Sequence, residues 1–309
     1  MPRLPLLLLL LLPLLAAPDA PAPTHAERLG YPPDAKLLLL HADDIGVAHS
    51  VNAATFDAFA TGRVRSGSVM VPCAWFPEAA AYARAHPDHD LGLHLTLTSE
   101  WKHYRWGPVL GAAAAPSLVD SLGFLHATPG AAAAAMHPAA AAPELRAQVE
   151  RALAFGLHPT HLDSHMGTLF QTPDLFAAYV RVGRDYGLPV FVPREALAAQ
   201  APQLLAMLSD DELLVDRLVM APDGVDPADF DAFYTRAIQT LQPGVTELIV
   251  HLAYDDAEMQ AVTVDHPAYG ATWRQRDFDF FTSPAFDSLR AAHDVHLVTY
   301  RELAAARAR

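Results

Sequence analysis

Aspartate and histidine residues recur at widely separated points of this chain, each close to the end of a short apolar run. Two imidazole rings and one carboxylate are enough to bind a divalent cation while coordination positions remain open for water and substrate. Such a site is catalytic rather than structural, and it would support hydrolysis by a metal-activated water. The residues that suggest it are Asp43, Asp44, His94, His161, His165 and His251.

Each of these residues also has an ordinary structural interpretation. The adjacent acids Asp43 and Asp44 could cap a helix or stabilise a turn. His94 could be a hydrogen-bonded histidine of the core, and His161 and His165 could belong to a polar turn. Capping does not require histidine, so the recurrence of Asp and His in four separate segments favours one shared site.

The elements that would position these side chains are strands that alternate with helices, and no glycine-rich phosphate loop is present. About seven β/α repeats predict an α/β fold of the parallel barrel type, distorted or regular, rather than an open doubly wound sheet. Because the C-terminal ends of barrel strands meet on one face, we expect the Asp and His residues to converge there. The predicted strands are 36–40, 66–71, 91–97, 160–162, 188–192, 213–220, 247–252 and 296–299.

Composition and charge narrow the class of protein. The 309 residues are 52% hydrophobic and 18% charged, which is typical of a globular chain. Acidic residues outnumber basic ones by 35 to 21, for a formal net charge of −14, which argues against nucleic acid as a partner. The single cysteine, Cys73, excludes an intrachain disulfide and a thiolate metal cluster.

Residues 1–26 have the pattern of a secretory signal peptide. Arg3 supplies the positive charge, a leucine-rich run follows at 6–15, and 24–26 offers a cleavage site. The run of about ten apolar residues is shorter than the roughly 20 that a membrane-spanning helix needs; a retained anchor is the alternative. The sequence therefore predicts a secreted or periplasmic protein with one domain at 27–309 and no membrane insertion after cleavage.

Two segments interrupt the alternation of strands and helices. The alanine-rich segment 112–142 is too long for an ordinary connection, and we expect either a flexible surface insertion or one weak helix. The segment 253–281 is rich in aromatic and charged residues, among them Trp273 and Arg274, and suits a loop that folds over a pocket. Trp273 is a candidate for substrate binding.

Three segments resemble the signature motifs of the YdjC/ChbG-type carbohydrate deacetylases, which are relatives of the wider polysaccharide deacetylase superfamily. They are His-Ala-Asp-Asp-Ile-Gly at 41–46, Gly-Leu-His-Leu-Thr-Leu-Thr at 92–98 and Pro-Thr-His-Leu-Asp-Ser-His-Met-Gly at 159–167. The resemblance extends over residues 36–303. It implies a single distorted parallel β/α barrel that removes N-acetyl groups from amino sugars with the help of a metal ion.

The resemblance also implies roles for individual residues. Asp44, His94 and His165 would bind the metal ion. Asp43 would act as the catalytic base, and His251 matches a late histidine of the family.

The chain departs from the family pattern at three points. His41 stands where asparagine is common, and Met166-Gly167 replaces further histidines. Leu252-Ala253 follows His251 where the family usually has Pro-Gly. These differences leave the ligand set intact, but they bear on the identity of the substrate.

Hydrolysis of an amide also needs a proton for the leaving amine. We predict His251 as the general acid, with its charge held by Asp255 or Asp256. Asp163 is predicted to orient a metal-bound imidazole from outside the ligand set, and His161 is grouped with it. A turn-stabilising role for Asp163 is the alternative.

Some residues are candidates for binding the substrate. Trp101, Tyr104 and Trp106 follow the His94 strand in a segment without helical periodicity, which suits a pocket mouth where they stack on a sugar ring. A loop packed back on the barrel is the alternative. Arg194, directly after a predicted strand, is a candidate to bind sugar hydroxyls or a carboxylate, with a surface salt bridge as the alternative.

These observations favour a secreted metal-dependent hydrolase that acts on N-acetylated carbohydrates by attack of water on the amide. The alternatives are an amidohydrolase or esterase with a non-sugar substrate, a catalytically inactive carbohydrate-binding barrel, and a non-haem iron oxygenase. One Asp and two His suit Mg²⁺ or Zn²⁺, and also Mn²⁺ or Co²⁺. The sequence leaves a homodimer open.

Overall fold

The computed structural model describes residues 23–209, 212 and 214–307. Most of the predicted signal peptide, residues 1–22, lies outside the described residues. None of the helices in the described part is long and apolar enough to cross a membrane. Helices and parallel strands alternate along the described chain.

Parallel strands form one sheet within the described residues, and β1 lies at its centre. The strands are β1 Lys36–Ile45, β2 Ser66–Val69, β3 Asp90–Leu95, β4 Leu162–Ser164, β5 Arg217–Val219, β6 Gly244–Val250 and β7 Val295–Leu297. The hydrogen-bonded order is β4-β3-β2-β1-β6-β5, and β7 pairs with the first residues of β1. β1 extends beyond its predicted end and includes the two adjacent acids.

Two single bridges close this sheet into a barrel. Leu162 in β4 bridges to Val190, and Pro193 bridges to Val215, which lies beside β5. The predicted strand at 188–192 is therefore reduced to a bridging segment. The predicted distorted parallel β/α barrel is confirmed.

Helices surround the barrel and connect its strands. They are α1 His25–Arg28, α2 His49–Ala60, α3 Phe76–Ala85, α4 Pro129–Ala135, α5 Pro138–Ala154, α6 Pro173–Tyr186, α7 Arg194–Gln200, α8 Pro202–Leu205, α9 Phe230–Gln239, α10 Ala257–Val262, α11 Ala271–Phe281, α12 Pro284–Ala292 and α13 Tyr300–Arg307. The sequence of α6 carries a capping signal at each end. The Thr172 hydroxyl accepts a hydrogen bond from Leu175 N, and Gly187 ends the helix with a φ of 67°.

The barrel interior changes from apolar to polar along β1. Successive side chains of a strand point to opposite faces. Leu37 and Leu39 belong to an apolar cluster that fills the barrel floor, whereas Leu38 belongs to the larger core that includes the helices. With the same alternation, His41 and Asp43 continue the inward row above the floor.

The short helix α1 packs on the barrel floor. Thr24 caps it, because its hydroxyl accepts a hydrogen bond from Glu27 N and the Glu27 carboxylate accepts one from Thr24 N. Ala26 is buried in the same apolar cluster as Leu37. The predicted cleavage point after Ala26 therefore falls inside a packed helix.

The alanine-rich segment 112–142 is packed against the barrel, so the expectation of a flexible insertion or a single helix is wrong. It contains a 3₁₀ turn at Pro116–Leu118, helix α4 and the start of α5. Leu118, Leu125 and Ala132 are fully buried. These buried side chains hold the segment to the core although most of its residues are small.

The segment 253–281 is likewise more regular than the predicted loop. It contains α10 and α11, and only the parts between them lack helical structure. Trp273 and Arg274 lie on the buried side of α11. This segment does reach the polar end of the barrel, as the contacts of Arg274 described below demonstrate.

Candidate active site

The two adjacent acids lie on an irregular part of β1. The pairing between β1 and β2 shifts register between Ala42 and Ile45, and Asp44 has a φ of 66°, which is rare outside glycine. A regular strand would point the two carboxylates to opposite faces. Here Nε2 of His94 lies 3.4 Å from Oδ1 of Asp44 and 3.7 Å from Oδ2 of Asp43. The irregularity therefore brings both acids to one site.

Asp44, His94 and His165 form a compact group of metal-ligand atoms. Oδ1 of Asp44 lies 3.4 Å from Nε2 of His94 and 3.4 Å from Nδ1 of His165. All three side chains are buried, and no hydrogen bond from the described residues reaches this Oδ1. A buried carboxylate oxygen without a hydrogen bond, facing two imidazole nitrogens, fits a divalent cation. The nitrogen and oxygen donors suit zinc and related ions.

A carboxylate lies behind each of the two histidines. Oδ1 of Asp163 lies 2.6 Å from Nδ1 of His94, and Oε2 of Glu100 lies 3.1 Å from Nε2 of His165. Such partners fix the tautomer and the ring orientation, so that the opposite nitrogen can face a cation. The structure thus places Asp163 where the sequence analysis expected it, and it adds Glu100.

Arg274 holds the third member of the group. Its Nη2 donates to Oδ2 of Asp44 at 2.6 Å, and its Nε donates to the carbonyl oxygen of Tyr269 at 2.6 Å. The guanidinium also lies 5.6 Å from the ring centroid of Trp101. Arg274 is 1% exposed, so this charge pair is screened little by water.

The pKa values of Asp43 and Asp44 are shifted in opposite directions. Burial raises the pKa of Asp43 to about 6, although the facing His94 acts to lower it. Burial would also raise the pKa of Asp44, but Arg274 and His165 outweigh it and hold this pKa well below its usual range. Asp43 is therefore suited to exchange a proton near neutral pH, whereas Asp44 remains an anionic ligand.

His251 lies directly after β6, but the carboxylate partner predicted for its ring is not the one found. Asp255 accepts hydrogen bonds from other side chains, and Asp256 caps α10. The backbone N–H of His251, not its ring, donates to Oδ2 of Asp277 at 2.9 Å. The expectation that Asp255 or Asp256 holds a charge on His251 is therefore wrong, because both acids are used to stabilise the 253–281 segment.

The aromatic residues expected at a pocket mouth are packed into the protein instead. Trp101 is 2% exposed and Trp106 is 5% exposed. Nε1 of Trp106 donates to the carbonyl oxygen of Thr98 at 2.8 Å, and the Tyr104 hydroxyl donates to that of Val47 at 2.7 Å. The structure thus agrees with the alternative, a loop packed back on the barrel, and corrects the expectation of an open aromatic mouth.

The two remaining candidates for substrate binding also have structural contacts. The buried ring of Trp273 packs edge-on against Phe230, with 4.6 Å between the centroids. Arg194 is the first residue of α7, and its Nε lies 3.7 Å from Oδ1 of Asp216. These positions agree with core packing for Trp273 and with an ion pair for Arg194.

His161 fills the barrel interior below the metal-ligand group. Its ring stacks on Tyr300 with 3.8 Å between centroids and lies 5.0 Å from the ring of His41. A Cβ atom on Gly92 would overlap this ring, so the glycine makes room for it. His161 therefore packs in the polar interior of the barrel. Among the described residues it makes no hydrogen bond to Asp44, His94 or His165.

Three residues that had no predicted role at the site also lie close to it. Arg274 lies in the 253–281 segment that was expected to cover a pocket, so its segment carried the signal. His41 stood out only because it replaces a common asparagine. Glu100 carried no signal, since an acid five residues after a strand is ordinary.

Comparison with known proteins agrees with this geometry. The YdjC-like protein family matches residues 37–292. The chain is 31% identical over 279 residues to a carbohydrate deacetylase from Thermus thermophilus, across 89% of this chain and 96% of the relative. It is 27% identical over 286 residues to a chitooligosaccharide deacetylase from Serratia marcescens, across 87% of this chain and 99% of the relative.

A solved structure supports the fold. The crystal structure of an Enterococcus faecalis V583 protein named for cellobiose-phosphate cleavage superposes with a TM-score of 0.73 at 23% identity. The superposition covers 87% of this chain and 99% of that one. At this identity the likeness bears on the barrel alone.

A parallel β/α barrel that gathers two acids and two histidines at its strand ends has the construction of an enzyme, and the relatives named as deacetylases place it in the hydrolase class. The chain belongs to the YdjC-like protein family. The family predicted from the three motifs is thereby confirmed, and so is the prediction of a deacetylase at the level of this family.

Proposed function

We propose that this protein is a metal-dependent deacetylase that removes N-acetyl groups from amino sugars or their oligosaccharides. The observation that carries the proposal is the unpartnered Oδ1 of Asp44, which faces His94 and His165 beside the ionisable carboxyl of Asp43. The names of the Thermus thermophilus and Serratia marcescens relatives support a carbohydrate as the substrate.

Asp44, His94 and His165 would hold the divalent cation, which when bound polarises the amide carbonyl and lowers the pKa of the attacking water. Two imidazoles and one carboxylate favour zinc over magnesium, because magnesium prefers oxygen ligands. Arg274 fixes the orientation of Asp44, and Asp163 and Glu100 orient the two rings.

Asp43 would take the proton from water as it attacks the carbonyl carbon. Its pKa of about 6 leaves the carboxyl mostly ionised at pH 7, as a base requires. Once protonated, the same carboxyl is acidic enough to return its proton to the leaving amine. The pKa near operating pH favours both transfers.

His251 would act as a hydrogen-bond donor rather than as a charged acid. Burial lowers its pKa to about 3, with Arg274 adding to this effect and Asp44 opposing it. A neutral imidazole carries one N–H, which can stabilise the carbonyl oxygen as negative charge develops. This role replaces the general-acid role predicted for His251, since a ring with so low a pKa carries no spare proton at pH 7.

We further propose that the protein acts outside the cytoplasm. Arg3 and the leucine-rich run at 6–15 support export. The acidic net charge of −14 disfavours nucleic acid as a partner and is compatible with a neutral sugar substrate.

Acetate release tests the proposal. Metal-loaded protein is incubated with N-acetylglucosamine and N-acetylgalactosamine in monomeric and oligomeric forms, beside the Asp43→Asn variant as control. We expect the variant to retain one bound ion and to release acetate at least about 100-fold more slowly. Folded, metal-loaded protein that releases no acetate from any of these sugars contradicts the proposed substrate. Binding of a sugar without release would point to the inactive binding barrel.

A further inference from the structure

His41 lies inside the barrel between the carboxylates of Asp43 and Asp163. Its side chain is fully buried. Nε2 of His41 lies 3.1 Å from Oδ2 of Asp163 and 3.3 Å from Oδ1 of Asp43. One ring nitrogen therefore contacts both the proposed base and the carboxylate that orients His94.

The protonation of Nδ1 follows from its hydrogen-bond partners. Nδ1 of His41 lies 3.0 Å from the Ser66 hydroxyl oxygen. That hydroxyl donates its only hydrogen to Oδ2 of Asp90 at 2.7 Å, and Asp90 also accepts the backbone N–H of Tyr300. Because the hydroxyl hydrogen is used on Asp90, the Ser66 oxygen must accept from His41. Nδ1 therefore carries a proton.

The same count applies to Nε2. Oδ1 of Asp163 accepts a hydrogen bond from His94, and Oδ2 of this carboxylate can only accept a hydrogen bond from His41. The Ser68 hydroxyl, 3.2 Å from Nε2, donates its hydrogen toward Oδ1 of Asp43 and so presents a lone pair to His41. Every polar atom around Nε2 is an acceptor. Nε2 therefore also carries a proton.

We infer that His41 is a positioning residue: a buried imidazolium that holds Asp43 and Asp163 in place for catalysis. The role in catalysis rests on the proposed function, whereas the charge of His41 does not. With both nitrogens protonated, the ring donates from Nε2 to Asp163 and places its positive charge 3.3 Å from Asp43, two carboxylates that would otherwise repel each other in the barrel. Through Asp163 it also fixes the ring of His94, and through Ser66 it is anchored to the start of β3.

The charge balance around the ring is consistent with this role. Burial alone would lower the pKa of His41, but the hydrogen bond to Asp163 and the charges of Glu247 and Asp43 outweigh it and raise the pKa to about 9. Glu247 gains its charge only as the pH rises toward 8, so Asp163 and Asp43 are the anions that act on the ring at pH 7, and His161 is neutral there. Burial raises the pKa of Glu247 to about 8 and lowers that of His161 to about 4.

Tyr300 completes the surroundings of the ring. Its hydroxyl donates to Glu247, and its own ring meets His41 edge-on at 5.9 Å. Burial holds the pKa of Tyr300 well above its usual range, so this neighbour is neutral. Asp43 and Asp163 are therefore the anions that pair with the imidazolium of His41.

Nitrogen NMR of zinc-loaded protein labelled with ¹⁵N-histidine tests the charge directly. We expect both nitrogens of His41 to resonate as protonated imidazole at pH 7, with the signals assigned by their loss in His41→Gln. A spectrum in which one nitrogen is unprotonated overturns the inference. This readout is independent of any substrate, so it decides the charge even if the protein releases no acetate.

The positioning role is tested by kinetics of His41→Gln, which keeps a polar side chain but carries no charge. We expect kcat to fall by about tenfold with KM within about twofold, because orientation of Asp43 and His94 is lost while substrate contacts remain. His89→Gln is the matched control, since His89 lies at the opposite end of β3 from His94 and bonds to Tyr82. It should leave kcat unchanged.

The zinc affinity of His41→Gln serves as a second measurement that needs no activity. Weakened orientation of His94 should lower this affinity by about tenfold, as for other residues that act through a ligand's partner. A His41→Gln protein with wild-type kcat and wild-type zinc affinity contradicts the positioning role. If the wild-type protein releases no acetate but gives the expected NMR spectrum and zinc affinity, only the proposed function is refuted.

Discussion

Nη2 of Arg274 lies 2.6 Å from Oδ2 of Asp44, and both side chains are almost fully buried. The contact joins α11, late in the chain, to the irregular end of β1. It leaves the other oxygen of Asp44 facing His94 and His165. One buried carboxylate is thus shared between a fixed cation of the protein and the position suited to a metal ion.

Replacement of Arg274 by methionine should affect the metal-free protein most. Without the guanidinium, the buried carboxylate of Asp44 keeps only the imidazolium of His165 as a nearby countercharge, and we expect a loss of about 3 kcal/mol in the free energy of unfolding. A bound cation neutralises the same carboxylate, so the loss should be smaller in zinc-loaded protein. Chemical denaturation of both forms measures the difference.

The control for this variant is Arg276→Met on the exposed side of the same helix. It should change the unfolding free energy by no more than about 0.5 kcal/mol. Equal losses for Arg274→Met with and without zinc would contradict the assignment of Asp44 as a metal ligand.

Metal binding should release protons at mildly alkaline pH. Burial lowers the pKa of His165, but Glu100 and Asp44 outweigh it and raise this pKa to about 10 in the metal-free protein. The ring must lose its proton from Nδ1 to bind a cation. We expect calorimetry of zinc binding at pH 8, in buffers of different ionisation enthalpy, to report about one proton released or more.

The raised pKa of His165 also sets a pH dependence for the metal-free protein. A histidine whose pKa rises on folding contributes stability that is fully present below its unfolded value of 6.5 and is lost as the pH approaches about 10. Zinc binding that releases no proton at pH 8 would argue against His165 as a ligand.

Much of the site could be predicted from sequence because its parts lie at strand ends. Once a parallel barrel is inferred, the convergence of Asp44, His94 and His165 follows from topology. The backbone geometry that turns both Asp43 and Asp44 toward this site could not be predicted, since a regular strand would point them to opposite faces. It depends on the register shift between β1 and β2 and on the positive φ of Asp44.

Other parts depended on contacts between distant segments. Arg274 and Asp44 are 230 positions apart, and no local pattern links them. Trp101 and Trp106 were placed at a pocket mouth because their segment lacks helical periodicity, yet they are buried by packing. The periodicity of hydrophobic residues indicates helices and strands, but it does not indicate how an irregular segment packs against the rest of the protein.

Gly92 should be intolerant of a side chain. A Cβ atom there would overlap the ring of His161, which is stacked on Tyr300 and cannot move without disturbing the barrel interior. We expect Gly92→Ala to lower the free energy of unfolding by about 1–3 kcal/mol. Gly130→Ala, in α4 with open space around its Cβ position, is the matched control and should be neutral or stabilising. Equal stability of the two variants would refute the close packing of His161.

The proposed export signal should be removed at a point before Thr24. Cleavage after Ala26 would delete the cap of α1 and a buried residue of the barrel floor. We therefore expect the exported protein to retain Thr24, and N-terminal sequencing of protein recovered outside the cytoplasm measures this. A mature chain that begins at Glu27 and has the unfolding free energy of the longer form would contradict the structural role of α1.

In the proposed function, deacetylation requires one metal ion held by Asp44, His94 and His165. The most direct test is to remove metal from the protein with a chelator and then add zinc in steps, with acetate release from N-acetylated chitooligosaccharides measured at each step. We predict that release is abolished by chelation and returns in proportion to bound zinc, reaching its maximum at about one equivalent. Full acetate release from protein shown to hold no metal would contradict a metal-dependent reaction at this site.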